Sequence, residues 1–143
     1  MVAPLDRRTQ IEVEDAVRQR TGLALNSLMG PTDTAVLEPL GYIGWAARNK
    51  TIYDFPGLGS KIAVAALARR ESVSLFALID ELQPTFAVLR PLELDDFKTR
   101  FPSTAAHYTQ VEHISGATHE SIQHMGVGYT ICDDEFMILR RAP

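Results

Sequence analysis

Three short apolar runs, Thr34-Ala-Val-Leu-Glu38, Thr51-Ile-Tyr-Asp54 and Thr85-Phe-Ala-Val-Leu-Arg90, alternate with stretches of helical spacing. That alternation constrains the fold more than any other feature. Each run opens on a β-branched threonine and is short enough for a buried strand. Between the first two, Gly41 to Arg48 carries Tyr42, Ile43 and Trp45 and reads as a short helix. Between the second and third, Lys61 to Leu82 reads as two helical stretches. The second of these is marked by Leu75, Leu78, Ile79 and Leu82 at three- and four-residue steps, has Ser72 or Ser74 as its cap, and is stopped by Pro84. Leu94 to Phe101 reads as a further helix, broken by Pro102.

The order β-α-β-α-β-α predicts parallel strands with right-handed crossovers, because parallel neighbours need a long return that a helix supplies. The expected class is therefore α/β, a three-layer Rossmann-like domain with a parallel β-α-β-α-β core over residues 34–101. A leading helix from about Arg8 to Leu28, ended by Gly30-Pro31, precedes the core, with Gly22 weakening its middle. The tail, 108–140, changes pattern. Tyr108 to Ile114, Val127 to Cys132 and Phe136 to Arg140 read as strands, the last two forming an antiparallel C-terminal hairpin through Asp133-Asp134-Glu135. Ser115 to Met125, polar and glycine-containing, reads as an exposed loop. At 143 residues the chain is expected to form a single domain, 1–143.

Charge narrows the partners. A formal net charge of -4 provides no basic face for nucleic acid, and the arginine pairs 7/8, 69/70 and 140/141 read as solvated surface. The single cysteine, Cys132, lies in an apolar run without a neighbouring cation and reads as a small buried hydrophobe. No run approaches the roughly 18 apolar residues of a membrane span. His107, His113, His119 and His124 fall six, six and five residues apart, a spacing that suits neither one helix face nor one strand face. No metal site and no cofactor is expected from them.

The chemistry gathers at the strand ends. If the three runs are parallel, Glu38, Asp54 and Arg90 arrive together at one sheet edge, and open parallel sheets bind ligands outside the carboxyl ends of their strands. Two readings are open there: an ion-pair cluster that staples the loops, or ligand contact. Gly41-Tyr-Ile-Gly44 follows the first run and opens a helix whose N-H groups suit an anion, yet it lacks the full dinucleotide fingerprint. Tyr42, Trp45, Tyr53 and Phe55 cluster around the first two strand ends, where aromatic faces beside carboxylates suit sugar rings and equally suit a core.

Taken as a series, Val36-Leu-Glu-Pro-Leu-Gly-Tyr-Ile-Gly-Trp45, Tyr53-Asp-Phe-Pro-Gly-Leu58 and Gln83-Pro-Thr-Phe-Ala-Val-Leu-Arg-Pro91 resemble a known pattern. They resemble the soluble C-terminal domain of bacterial membrane glycosyltransferases of the protein mannosyltransferase and aminoarabinose transferase type. The resemblance runs over about Ile11 to Ile114. It implies an extracytoplasmic domain, in the periplasm or cell envelope, beside a membrane-embedded enzyme that moves a sugar from a polyprenyl-phosphate donor. Without that kinship the expected compartment is cytoplasmic. The catalytic acids of that family lie in its membrane portion, so no catalytic residue carries over. Tyr42, Asp54, Gly57 and Leu58 match the recurring motif in structural or substrate-facing positions, while Pro84-Thr-Phe departs from the family's Pro-Asp-Tyr and lacks its acid. Beginning at Met1 without an apolar helix, the sequence reads as an excised domain or a free-standing relative.

The leading expectation is a non-catalytic domain that assists recognition of a glycan acceptor or lipid-linked sugar donor. Its ligand candidates are Glu38, Tyr42, Asp54 and Arg90, with Gly41, Gly44, Gly57 and Leu58 as structural motif. The alternative is a small α/β ligand- or nucleotide-binding protein, or an enzyme, using the same edge. A third reading is a domain that mediates only protein contacts.

Overall fold

The computed structural model describes residues 10–116 and 134–143. The expected hairpin strand Val127–Cys132, the thiol of Cys132, most of the polar loop, Arg7, Arg8, His119 and His124 lie outside them. The chain opens with α1 (Gln10–Gln19), wound as a π-helix, which runs into α2 (Arg20–Leu28). There follow β1 (Thr34–Leu37), α3 (Leu40–Ala46), β2 (Thr51–Asp54), α4 (Lys61–Leu67), α5 (Leu75–Leu82) and β3 (Phe86–Leu89). The chain ends with α6 (Pro91–Arg100), α7 (Pro102–Ala105), β4 (Tyr108–Ser115) and β5 (Glu135–Arg141).

The five strands form one mixed sheet in the order β2-β1-β3-β5-β4. β1 pairs in parallel with β2, Thr34 to Leu37 matching Thr51 to Asp54, and with β3, Val36 opposite Ala87. β5 runs antiparallel to both β3 and β4. The parallel half thus has the expected strands, and the antiparallel half pairs β4 directly with β5.

Strand alternation divides the core. Val36, Ala87, Leu89 and Leu139 pack with α4, α5 and α6, whereas Ala35, Leu37, Phe86, Val88 and Ile138 pack with α1, α2 and α3. Period-two geometry sends successive side chains to opposite faces, so a run such as Phe-Ala-Val-Leu must be apolar throughout to supply both. Phe86, Phe97 and Phe136 are fully buried, each contributing about 1.5–3 kcal/mol. Phe76, Phe97, Phe101 and Tyr108 pack ring against ring, one pair stacked and two edge-on, with centroids 5.7 to 6.4 Å apart, in the first cluster.

Local sequence accounts for most helix ends. Of the two candidate caps for α5, Ser74 is the one used: its hydroxyl accepts from the Ala77 N–H at 3.1 Å. Gln83 then turns left-handed at φ 44° and releases the chain towards β3. Most boundaries shift by a residue or two, and two proline positions differ in kind from the sequence reading. α6 begins at Pro91, not Leu94, because proline's fixed φ and missing N–H suit a first helical position, and Glu93 reaches back to the Arg90 N–H at 2.8 Å. By the same rule Pro102, expected only to break a helix, also starts α7.

Candidate functional site

The connections reverse direction between β1 and β3. From β1 the chain passes through α3, on one face of the sheet, to β2; from β2 it returns through α4 and α5, on the other face, to β3. β1 and β3 are neighbours whose following helices depart to different sides of the chain order, which is where open α/β sheets receive ligands. Glu38 follows β1 and Arg90 follows β3, so both stand at this point.

They are bonded to each other. Arg90 Nη2 donates to Glu38 Oε2 at 2.6 Å and Arg90 Nη1 to Glu93 Oε1 at 2.7 Å. The guanidinium also lies over the Phe136 ring, 5.7 Å from its centroid, so β5 forms its floor. A planar fork of donors suits two carboxylates at once. The Arg90 side chain is only 16% exposed, but that of Glu38 is 40% exposed. The triad therefore fixes the loops after β1 and β3 and still presents one carboxylate face to a solute.

Asp54, the third ionisable group expected at this edge, does something different. It is 3% exposed, and both its carboxylate oxygens accept the Gly59 N–H at 3.1 Å. The loop it holds contains a cis Phe55–Pro56 bond and Gly57 at φ +100°, and ends where the Ser60 hydroxyl caps α4 through the Ala63 N–H. A side chain on Gly57 would also meet Val64 Cγ2 at 2.8 Å. Within the Asp-x-x-Gly-Leu motif, then, Asp54 and Gly57 shape the loop, while Leu58 projects at 91% exposure.

The aromatic group divides. Tyr53 and Phe55 pack against the core, whereas Tyr42 is at the exposed margin and Trp45 is 70% exposed, with the Arg48 guanidinium 5.3 Å from its ring centre. Gly41 kinks the start of α3 (φ -16°, ψ -105°), and a side chain on Gly44 would meet Leu40 Cδ1 at 2.6 Å. Both glycines have conformational and packing reasons to be there.

At the opposite end of the parallel strands lies a polar cluster that sequence reading missed. Arg70 bonds Asp80 at 2.5 Å and Glu81 at 3.5 Å, Arg69 bonds Glu81 at 3.0 Å, and the Thr104 hydroxyl donates to Asp80. The Thr104 hydroxyl, with help from Arg70 and against partial burial, holds the Asp80 carboxyl below its ordinary value. Nearby, the Tyr108 hydroxyl donates to the Pro84 carbonyl at 2.7 Å, and burial raises its pKa well above the ordinary phenol value. Arg69, 60% exposed, is thus a surface residue that is also paired, and Arg70 is the more enclosed of the two. The signal was present in the doublet Arg69-Arg70 ahead of α5 and the doublet Asp80-Glu81 in its last turn. On the antiparallel side, His113 Nε2 contacts Glu135 Oε1. Among the described residues no group of three or more His, Cys, Asp or Glu is placed to hold a metal ion, and no helix is long and apolar enough to cross a membrane.

No curated protein and no solved structure matches the chain. Residues 6–134 match one family, a span that includes the whole parallel half, the Glu38–Arg90 pair and the Asp54 loop. The chain belongs to the family described as Domain of unknown function (DUF8728).

Proposed function

We propose that the chain is a non-catalytic recognition domain that binds a glycan, or the sugar of a lipid-linked donor, at the crevice between β1 and β3. The observation that carries this reading is the Glu38–Arg90–Glu93 triad, which places a half-exposed carboxylate beside a guanidinium at the switch point of the sheet. Sugars are bound by such planar, charge-assisted hydrogen-bonding groups next to apolar faces. Tyr42 on α3 and Leu92, 79% exposed in the first turn of α6, are the exposed apolar groups that follow β1 and β3 in sequence and are the candidates for those faces. A binding role rather than catalysis is favoured because the edge groups are engaged with one another: Arg90 is bonded to both Glu38 and Glu93, and Asp54 serves the backbone of its own loop.

The wider reading follows from the motif series. It places the domain beside a membrane-embedded glycosyltransferase portion, outside the cytoplasm, with a Rossmann-like three-layer architecture built on the parallel strands. Support comes from the resemblance of the three motif segments and from the parallel order of β2, β1 and β3.

The test is saturation-transfer NMR of the purified chain against mannose oligosaccharides, a short-chain polyprenyl-phosphate sugar and common nucleotides, repeated with Glu38→Ala. Saturable sugar binding that weakens at least tenfold in the folded variant is expected. Binding of nucleotides or small acids instead, with sugars silent, would replace this reading by one in which Arg90 captures an anion.

A further inference from the structure

A cavity of about 430 Å³ lies between α3 and β2, walled by Leu40, Gly44 and Trp45 of α3, by Arg48 and Lys50 in the turn that follows, and by Ile52 of β2. Its walls are mostly apolar. No described acidic residue lines it, and none of Glu38, Arg90 and Glu93 belongs to it.

The two basic residues differ in what they do. Lys50 Nζ donates to the Met29 carbonyl at 2.6 Å, which ties the turn after α3 to the end of α2. Arg48 has no such engagement. Its guanidinium lies 5.3 Å from the centre of the Trp45 ring and, among the described residues, is bonded to no carboxylate, although the chain has 18 acidic residues. An arginine resting on an aromatic face keeps its planar fork of donors for another partner. Trp45 is nevertheless 70% exposed, so its indole retains an uncovered face. The backbone beside it is accessible as well, because a Cβ built on Gly41, which also lines the cavity, meets nothing within 4 Å.

A ligand that uses all of these features has an anionic group for Arg48 and one apolar face for the indole. A bare inorganic anion would leave the apolar wall unused. A flat aromatic acid gains most when both its faces are covered, and this cavity has one aromatic wall and is open beside it. A sugar ring turns one face of C–H bonds to an indole and keeps its hydroxyls in water. We propose that this cavity binds an anionic sugar, a uronate or a sugar phosphate, with the ring on Trp45 and the carboxylate or phosphate on the Arg48 fork. The site shares no residue with the Glu38–Arg90–Glu93 triad, so it stands or falls without the reading given above.

Trp45 is the only tryptophan, so the full isotope-labelled chain gives one indole N–H signal, and that signal reports on this cavity. The chain is titrated with methyl glucuronoside, glucose 6-phosphate, neutral methyl glucoside, benzoate and inorganic phosphate. Saturable shifts of the indole signal and of the amides from Gly44 to Ile52 are expected with one or both anionic sugars, at concentrations at least tenfold below those needed for the other three. Arg48→Gln weakens this binding about tenfold, the loss of one charge-assisted pair, and Trp45→Ala weakens it at least as much. Equal response to the neutral glucoside overturns the proposal, as does equal response to benzoate or phosphate, because the site would then read only half of the ligand. Shifts confined to Glu38 and to Arg90 through Glu93 also overturn it while leaving the triad as a sugar site, and an unmoved indole signal well into the millimolar range overturns it outright. The wild-type arms decide the matter even if a variant fails to fold.

Discussion

Arg90 holds Glu38 at 2.6 Å across two neighbouring parallel strands, although 52 residues separate them in sequence. One guanidinium serves two carboxylates, so its loss is worse than the loss of either acid. Arg90→Met strands Glu38 and Glu93 together and is expected to lower stability by about 2–3 kcal/mol, somewhat below the figure for a fully buried pair. Glu38→Gln, at a half-exposed position, is expected to change it by less than about 1 kcal/mol. Urea unfolding of the two variants checks the ratio, and equal losses would show that Arg90 does not organise this edge.

The loop after β2 yields a contrast between adjacent residues. Gly57→Ala meets both a left-handed backbone at φ +100° and Val64 at 2.8 Å, and should cost about 1–3 kcal/mol. Leu58→Ser, at a side chain that packs on almost nothing, should stay within about 0.5 kcal/mol of the parent. Thermal melts of both proteins under one condition test this.

Gly22 gives a third prediction. Its Cα faces α3, where an added Cβ would stand 2.5 Å from the Ile43 carbonyl oxygen and 2.6 Å from Ala46 Cβ. Gly22→Ala raises intrinsic helix propensity but forces α2 and α3 apart, for a net loss of about 1–3 kcal/mol. A stabilised variant in denaturant titration would contradict the close approach.

Two groups give stability a pH dependence with opposite signs. Burial raises the Tyr108 pKa, so the folded phenol stays protonated where the unfolded one ionises, near its ordinary value of 10.0; its contribution is complete below that pH and is lost as pH rises beyond it. Asp80 is lowered from 3.8, so its contribution is complete above that pH and disappears as acid protonates the folded carboxyl. Tyr108→Phe should lose about 1 kcal/mol at neutral pH, through the orphaned Pro84 carbonyl, and flatten the alkaline limb. Asp80→Asn should flatten the acid limb. Melting temperature measured against pH for the three proteins separates these effects.

The parallel half was legible because its signals are local. Thr51 to Asp54 is a strand in both readings, and Ser74 caps α5 as a serine before an apolar helix should. The carboxyl-edge meeting of Glu38 with Arg90 followed from topology alone, since parallel strands send their C-termini the same way. What stayed hidden depends on partners distant in sequence. Gly22 read as a weak point in a helix because the backbone of α3 that it accommodates lies some twenty residues away. Asp54 read as an edge group because nothing local says that its carboxylate turns back to Gly59. Pro102 read as a break because the same residue that ends one helix can open the next. The exposure of Trp45 beside a buried Ile43 on the same short helix is likewise set by which elements pack on α3.

The central claim is that the β1–β3 crevice is a recognition site. Backbone-amide NMR of the isotope-labelled chain, titrated with the sugar that gives the strongest saturation transfer, tests it most directly. Saturable shifts confined to Glu38 to Tyr42 and Arg90 to Glu93, and lost in Glu38→Ala, are the predicted result. Shifts centred elsewhere on the sheet, or none at concentrations well into the millimolar range, would contradict it.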